Sequence, residues 1–222
     1  LGGGSIGAPP GELSVWLNVA TSFGWCPDMI PPITILGKSS GWPRRPKRYA
    51  TLPAMDLLAI AYGNPSRTDD GAGHYVLNRL NAAWGLPAVG LLGEPGTAWV
   101  NVAEHRVRTM WVQQLDMGLA EDCAQVDRVL FIDAHVGEPD VLVAPVDRRS
   151  GLGLTSHVLD PATLLALADS AYGRSAEGFR CTVRGEDFEF HDQLTPACHA
   201  RAEALVAALL AGALGEAGPS LA

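Results

Sequence analysis

Two short apolar segments, each followed closely by aspartate, constrain the fold of this chain more than any other feature. Leu57 to Ala61 contains no polar residue and gives way to Gly63-Asn64-Pro65, and Val129 to Ile132 runs directly into Asp133. A continuous apolar run is typical of a strand covered on both faces, as in a parallel sheet between layers of helices. The chain is therefore predicted to be an α/β protein, a three-layer α/β/α sandwich with a mainly parallel central sheet.

Helical patterns alternate with the predicted strands. Gly73 to Trp84 places its apolar residues on one face, and Asp160-Pro161 and Thr195-Pro196 are typical helix starts with proline at the first helical position. A short helix is predicted at Asp116 to Gln125, with Asp116 as its N-cap. Further strands are predicted at Arg106 to Gln114, Val141 to Val146, Phe179 to Arg184 and, more briefly, Phe188 to Phe190, and an irregular connection at Gly85 to Asn101.

Composition excludes several classes of protein. The formal net charge of −8 disfavours a nucleic-acid partner. No apolar stretch approaches the roughly 20 residues that span a bilayer, so no membrane association is predicted. The four cysteines form no Cys-x-x-Cys pair, which argues against a zinc ribbon and favours buried thiols in a cytoplasmic protein. Dinucleotide, P-loop, Gly-x-Ser-x-Gly and His-Glu-x-x-His motifs are all missing from the sequence.

The chain divides by composition into one domain with two appendages. Residues 1–54 are rich in Gly, Pro and Ser and show no sustained periodicity, which predicts a poorly structured extension. Met55 immediately precedes the first predicted strand, so the native protein is hypothesised to start there, with the upstream residues foreign to it. The predicted domain covers residues 55–214, and residues 215–222 are expected to fray.

The residues with the strongest chemical potential lie at the ends of predicted strands. Asp70 follows the first apolar strand, Asp133 closes the second, and His157 stands shortly before the helix that starts at Asp160-Pro161. Because a doubly wound sheet brings such ends to one edge, these three side chains are expected to meet. Two carboxylates and one imidazole suit a divalent transition metal. Asp69 is the better candidate for a cap of the loop or of the next helix.

Four segments, in this order, resemble the hydrogenase maturation proteases. Ala61-Tyr62-Gly63-Asn64 followed by Thr68-Asp69-Asp70-Gly71-Ala72-Gly73 is similar to the opening motif of that family, with Ala61 in place of the first glycine of Gly-x-Gly-Asn. The other three are the stretch that ends at Asp133, the Thr-Ser-His-Val-Leu-Asp-Pro stretch that contains His157, and Gln193 to Pro196. The resemblance covers roughly Met55 to Leu214.

The resemblance implies an activity, a metal and a partner. It implies an endopeptidase that removes the C-terminal extension of a hydrogenase large-subunit precursor after nickel insertion. Asp70, Asp133 and His157 would be both the nickel ligands and the catalytic residues, and the nickel would come with the substrate. Two alternatives remain open: a nickel-binding or escort protein that cleaves nothing, and a cytoplasmic aminopeptidase or amidase with a resident metal.

Overall fold

The computed structural model describes residues 33–35, 54–90, 98–147 and 159–212, with only the backbone described at 33–35. Its strands form one seven-stranded sheet in the order β1-β6-β7-β5-β2-β4-β3. The strands are β1 (Ile33–Ile35), β2 (Asp56–Tyr62), β3 (Val100–Val102), β4 (His105–Val112), β5 (Arg128–His135), β6 (Val141–Pro145) and β7 (Glu177–Arg184).

The four central strands, β7, β5, β2 and β4, are all parallel to their neighbours. At the edges of this group, β3 pairs antiparallel with β4, and β6 pairs antiparallel with β7. β1 then lies parallel to β6. The prediction of a mainly parallel sheet is therefore confirmed.

Helices cover both faces of the sheet. The helices are α1 (Ala72–Trp84), α2 (Leu119–Ala124), α3 (Pro161–Tyr172) and α4 (Pro196–Gly212). Alternate residues of β2 point to opposite layers: Leu57 belongs to the core formed with α1 and α4, and Leu58 to the core formed with α2 and α3. Both leucines are fully buried, and burial of each contributes about 1.5–3 kcal/mol. The prediction of three layers is confirmed, since a core lies on each face of the sheet. A strand buried on both faces needs apolar residues at successive positions, which is why its sequence does not alternate.

The order of the strands creates a crevice at the carboxyl edge of the sheet. The chain leaves β2 toward β4 on one side and leaves β5 toward β7 on the other side. Connections thus reverse direction between β2 and β5, and this is where open α/β sheets bind ligands. Gly73 lets α1 approach closely here, since a Cβ atom at this position would lie 2.6 Å from the carbonyl oxygen of Tyr62 and 2.8 Å from that of Ile132.

The strongest local start signal is confirmed. Asp160 has an extended backbone conformation, and its Oδ1 accepts a hydrogen bond of 2.7 Å from the N–H of Thr163, so it is the N-cap of α3. Pro161 stands at the first helical position as predicted. This capping geometry depends only on neighbouring residues, which explains why it could be predicted from them.

Three local predictions were wrong. The N-cap of α2 is Gly118 and not Asp116, whose Oδ1 instead accepts a hydrogen bond of 2.7 Å from the Gly118 N–H in the preceding turn. Phe188 to Phe190 forms no strand, because its backbone carbonyls are bonded to the segment after β2. β3 begins at Val100, inside the connection that was predicted to be irregular.

The segment predicted to be a poorly structured extension contains one described element. Ile33–Ile35 pairs with Val141, Leu142 and Val143 of β6. The other residues before Ala54 lie outside the described part of the chain, as do residues 213–222, so the predicted domain boundaries remain predictions. Within the described residues, no helix has both the length and the apolarity needed to cross a bilayer.

Candidate functional site

The exit from β2 is a sharp turn that requires glycine and brings Asp70 back to the strand. Gly63 has φ +118°, and a Cβ atom there would lie 2.2 Å from the carbonyl oxygen of Asp70. The next residue, Asn64, donates its backbone N–H to Oδ2 of Asp70 over 2.8 Å. No hydrogen bond to Oδ1 of Asp70 is found among the described residues. Asp70 therefore holds the turn with one of its two carboxylate oxygens.

Asp133 was predicted to close its strand, but β5 continues for two more residues, to His135. Its Oδ1 accepts a hydrogen bond of 2.8 Å from the Ala134 N–H. Burial raises the pKa of Asp133 to about 7, and the negative charge of Asp70 adds to this effect. The Ala134 N–H, the Tyr62 hydroxyl and the charge of Arg180 all act in the opposite direction but are outweighed. Asp133 is thus a carboxyl group held ready to change protonation state near neutral pH.

Asp70 and Asp133 form a pair of like charges around Gly63. A Cβ atom on Gly63 would lie 3.4 Å from Oδ1 of Asp133 as well as against the backbone of Asp70. The negative charge of Asp70 raises the pKa of Asp133, so the two carboxylates interact electrostatically. A divalent cation bound by both would offset this repulsion, and carboxylate oxygens are suitable ligands for it. The two carboxylates at this sheet edge are therefore chemically suited to bind a divalent cation.

The described residues supply two members of the predicted ligand set. His157, the third member, lies outside the described residues. Within the described ranges, no group of three or more His, Cys, Asp or Glu side chains is placed to hold a metal ion. The structure thus brings together Asp70 and Asp133, and the role of His157 stays a prediction.

Tyr62 connects the acidic pair to the start of α3. Its pKa is raised, first by burial and then by the charges of Asp133 and Asp160, so the phenol stays protonated and can donate to Asp133. Arg180 opposes this rise and also lowers the pKa of Asp133. No salt bridge to Arg180 is found among the described side chains. Neither Tyr62 nor Arg180 was identified from the sequence, because nothing local distinguishes them from ordinary strand residues.

Asp69 is fully buried and acts as a structural clamp. It does not cap the next helix as predicted, since the N-cap of α1 is Gly71 and no side chain caps that helix. Oδ1 accepts a hydrogen bond of 2.8 Å from the Thr195 N–H. Oδ2 accepts from the Glu186 N–H (2.8 Å), the Asp187 N–H (3.1 Å) and the Thr195 hydroxyl (3.0 Å). Burial alone would raise the pKa of Asp69, but these donors lower it below its usual value. Asp69 thereby fixes the segment before α4 to the segment after β2.

Residues 185–192, the tethered loop, are bonded to the segment after β2 that carries Asp69 and Asp70. Its backbone carbonyls accept hydrogen bonds from Arg67 Nε (3.0 Å), the Thr68 hydroxyl (2.8 Å) and the Thr68 N–H (3.0 Å). Thr68 has φ +43°, an unusual conformation for a β-branched residue that costs of order 1–3 kcal/mol. These contacts hold Thr68 in that conformation directly beside the two aspartates of the motif.

The remaining histidines near the edge have backbone partners. His74 contacts the Val89 carbonyl oxygen at 2.7 Å and lies edge-on to Trp111. His135 contacts the Pro139 carbonyl oxygen at 2.8 Å. Both imidazoles therefore take part in packing the edge of the site, and neither belongs to a described metal-binding group.

Comparison with known proteins gives a fold and no sequence match. No protein-family model and no curated protein sequence matches the chain. The hydrogenase maturating endopeptidase HybD from E. coli is 22% identical with a TM-score of 0.50, over 71% of this chain and 91% of that one. The NiFe hydrogenase maturation protease HycI from Thermococcus kodakarensis KOD1 is 19% identical with a TM-score of 0.51, over 72% and 92%. The chain therefore has the fold of the hydrogenase maturation endopeptidases.

Proposed function

We propose that this chain is a metal-dependent endopeptidase that removes the C-terminal extension of a hydrogenase large-subunit precursor after nickel insertion. The observation that carries the proposal is the pair Asp70 and Asp133, two carboxylates at the switch point of the sheet whose mutual repulsion the positive charge of Arg180 offsets only in part. The fold also supports the proposal, because the chain is similar in structure to the two solved endopeptidases described above.

The nickel in this proposal belongs to the substrate. Asp70 and Asp133 would hold it together with His157, which precedes Asp160 by three residues. Asp160 is close enough to Tyr62 for its charge to raise the pKa of the phenol, so the described chain resumes beside the acidic pair. This supports His157 as the third ligand, with nitrogen complementing two carboxylate oxygens.

Hydrolysis requires that a water oxygen add to the scissile carbonyl carbon, that a proton leave the water, and that the departing amine gain a proton as the C–N bond breaks. Bound nickel supplies Lewis acidity toward the carbonyl or the water. A site carboxylate accepts the proton from water and returns it to the amine. Because the pKa of Asp133 is about 7 without metal, binding of the precursor at neutral pH also displaces a proton from this residue.

The decisive experiment measures the intact mass of a large-subunit precursor, nickel-loaded and nickel-free, after incubation with the protein. The precursor should be encoded in the same genome. Loss of a C-terminal peptide from the loaded form alone is expected. Metal analysis should find the purified enzyme largely free of nickel, and stoichiometric retained metal would instead indicate a resident-metal hydrolase. Tight binding of the loaded precursor without any mass loss would contradict the protease and favour an escort protein.

Single substitutions test the roles proposed for Asp70, Asp133 and His157 in cleavage. Asp70→Asn, Asp133→Asn and His157→Ala are each expected to lower the cleavage rate by about a hundredfold or more, since each removes a ligand that also serves the transition state. Asp169→Asn is the matched control, because Asp169 is an exposed carboxylate near the end of α3. Normal cleavage by any of the first three variants would remove that residue from the site.

A further inference from the structure

The tethered loop exposes an apolar side chain among acids beside the site. The ring of Phe190 is 76% exposed, and Val136, which directly follows β5, is equally exposed. Glu189 directly precedes Phe190 in sequence, Asp192 follows it by two residues, and both acids are also exposed. No salt bridge involves either acid among the described residues. We call these four residues the docking surface.

The exposure of Phe190 is imposed by the fold. The two aromatic residues of the loop face opposite ways, because Phe188 packs over Gly185, where an added Cβ atom would lie 2.7 Å from its ring. The hydrogen bonds from Arg67 and Thr68 hold the carbonyls of residues 188, 189 and 191. The Arg67 guanidinium also lies 5.8 Å from the centre of the Phe190 ring. A bound partner would therefore find this ring already ordered, which lowers the entropic cost of association.

The docking surface is continuous with the acidic pair. The Gly185 N–H donates to the His135 carbonyl over 2.9 Å, which joins the start of the loop to the end of β5 beside Val136. On its other side the loop is bonded to Asp69, the chain neighbour of Asp70. A polypeptide whose metal centre lies between Asp70 and Asp133 would thus lie next to the tethered loop, which carries Phe190, and next to the end of β5, which Val136 follows.

The charges of the tethered loop indicate which kind of polypeptide the docking surface binds. Residues 185–192 contain four acids, Glu186, Asp187, Glu189 and Asp192, and no lysine or arginine. The Arg67 guanidinium beside the Phe190 ring donates to the Phe188 carbonyl and forms no salt bridge to these acids among the described residues. Glu186 is bound by Arg184 and Arg201, but Glu189 and Asp192 have no such cation among the described residues. We infer that the docking surface binds a segment of the precursor polypeptide in which an apolar side chain stands next to lysine or arginine. This inference rests on the proposed function for the identity of the precursor.

Binding of the nickel-loaded precursor to full-length protein tests the inference. The dissociation constant is measured for wild type and for Phe190→Ser, Phe190→Leu and Glu189→Lys. Tyr172→Ser and Asp169→Lys are the matched controls: both residues are exposed near the end of α3, which leads away from the site to β7. Thermal unfolding of every variant identifies those that fail to fold, and Phe190→Leu preserves an apolar contact in the same place.

Phe190→Ser is expected to weaken binding about tenfold, as for an aromatic anchor in an interface, with recovery of most of the affinity in Phe190→Leu. Glu189→Lys should weaken binding about three- to tenfold at low salt, and the loss should shrink as ionic strength rises. Steady-state cleavage should show a raised KM with little change in kcat. Equal affinities for the site variants and their controls would overturn the inference.

The outcomes for docking and for catalysis are separable. If cleavage is unchanged by substitution of Phe190 and Glu189, the proposed protease function stands and the inference about the docking surface is wrong. Binding that depends on both residues but leads to no cleavage would retain the docking surface and overturn the proposed function. If wild type does not bind the loaded precursor, both fail.

Discussion

Asp69 and Asp70 are neighbours in sequence and occupy the same turn of 3-10 helix, yet their carboxylates have opposite surroundings. Asp69 is fully buried and accepts four hydrogen bonds from the segment before α4. Asp70 accepts one from Asn64 and faces Asp133, whose pKa is raised to about 7. Burial raises the pKa of both Asp69 and Asp133, but only at Asp69 do the hydrogen-bond donors outweigh it, so the donors and burial together decide the ionisation of these two acids.

This difference separates a structural carboxylate from a functional one. The negative charge of Asp69 is stabilised within the protein, since both of its carboxylate oxygens accept hydrogen bonds. The pair Asp70 and Asp133 retains an unfavourable electrostatic interaction that an external cation can relieve. Four measurements test this contrast.

The largest expected effect on stability is that of Asp69→Asn. Either orientation of the asparagine amide would direct its NH2 group at N–H donors, so about 3 kcal/mol of the free energy of unfolding should be lost. Asp70→Asn should change stability by less than about 1 kcal/mol, because its amide oxygen can still accept from Asn64. Urea denaturation of both variants at pH 7 measures the free energy of unfolding. Equal losses in the two variants would contradict the distinction between a structural Asp69 and a functional Asp70.

The sign of the pH dependence follows from the lowered pKa of Asp69. Its contribution is present above the unfolded-state pKa of about 3.9 and is lost as pH falls through the lower folded-state pKa. The difference between wild type and Asp69→Asn should therefore be greatest at neutral pH and narrow in acid. A difference that stays constant down to the acid limit would show that packing, and not charge, dominates.

Asp133→Asn is expected to stabilise the metal-free protein at alkaline pH. The folded-state pKa is raised to about 7, so between about pH 4 and 7 the folded state binds a proton that the unfolded state releases, and stability falls as pH rises. At pH 8 the variant should be about 1–2 kcal/mol more stable than wild type, since asparagine carries no buried charge. Thermal unfolding at pH 5 and pH 8 measures this, with Asp169→Asn as control. A destabilised variant at pH 8 would indicate that Asp133 is as fully bonded as Asp69.

The smallest expected effects concern the groups that lower the pKa of Asp133. Tyr62→Phe removes a hydrogen bond to the carboxylate and Arg180→Gln removes a nearby positive charge, so each should raise the pKa of Asp133 by about half a unit or more. Carbon-13 NMR titration of the metal-free protein measures the shift. Asp69 should titrate unchanged in both variants, and a change there would mean that the two regions are coupled.

The local sequence determined the elements whose signals are contained in a few neighbouring residues. Leu57 to Ala61 and Val129 to Ile132 predicted strands buried on both faces because their apolar pattern is continuous. Asp160-Pro161 predicted the start of α3 because the cap and its donor are three residues apart. The placement of Asp70 and Asp133 at one edge followed from the parallel sheet, since its carboxyl ends lie together.

Only the tertiary structure decided what those residues contact. Phe188 to Phe190 has strand-forming residues, but its carbonyls bind Arg67 and Thr68, 121 residues away in sequence. Asp69 is bonded to Thr195 across 126 residues, while Asp70 is left to face Asp133. Sequence pattern reports the preference of a segment for a helix, a strand or a cap. Which of two adjacent carboxylates receives the donors depends on where distant backbone N–H groups come to lie, and that is settled only when the chain packs.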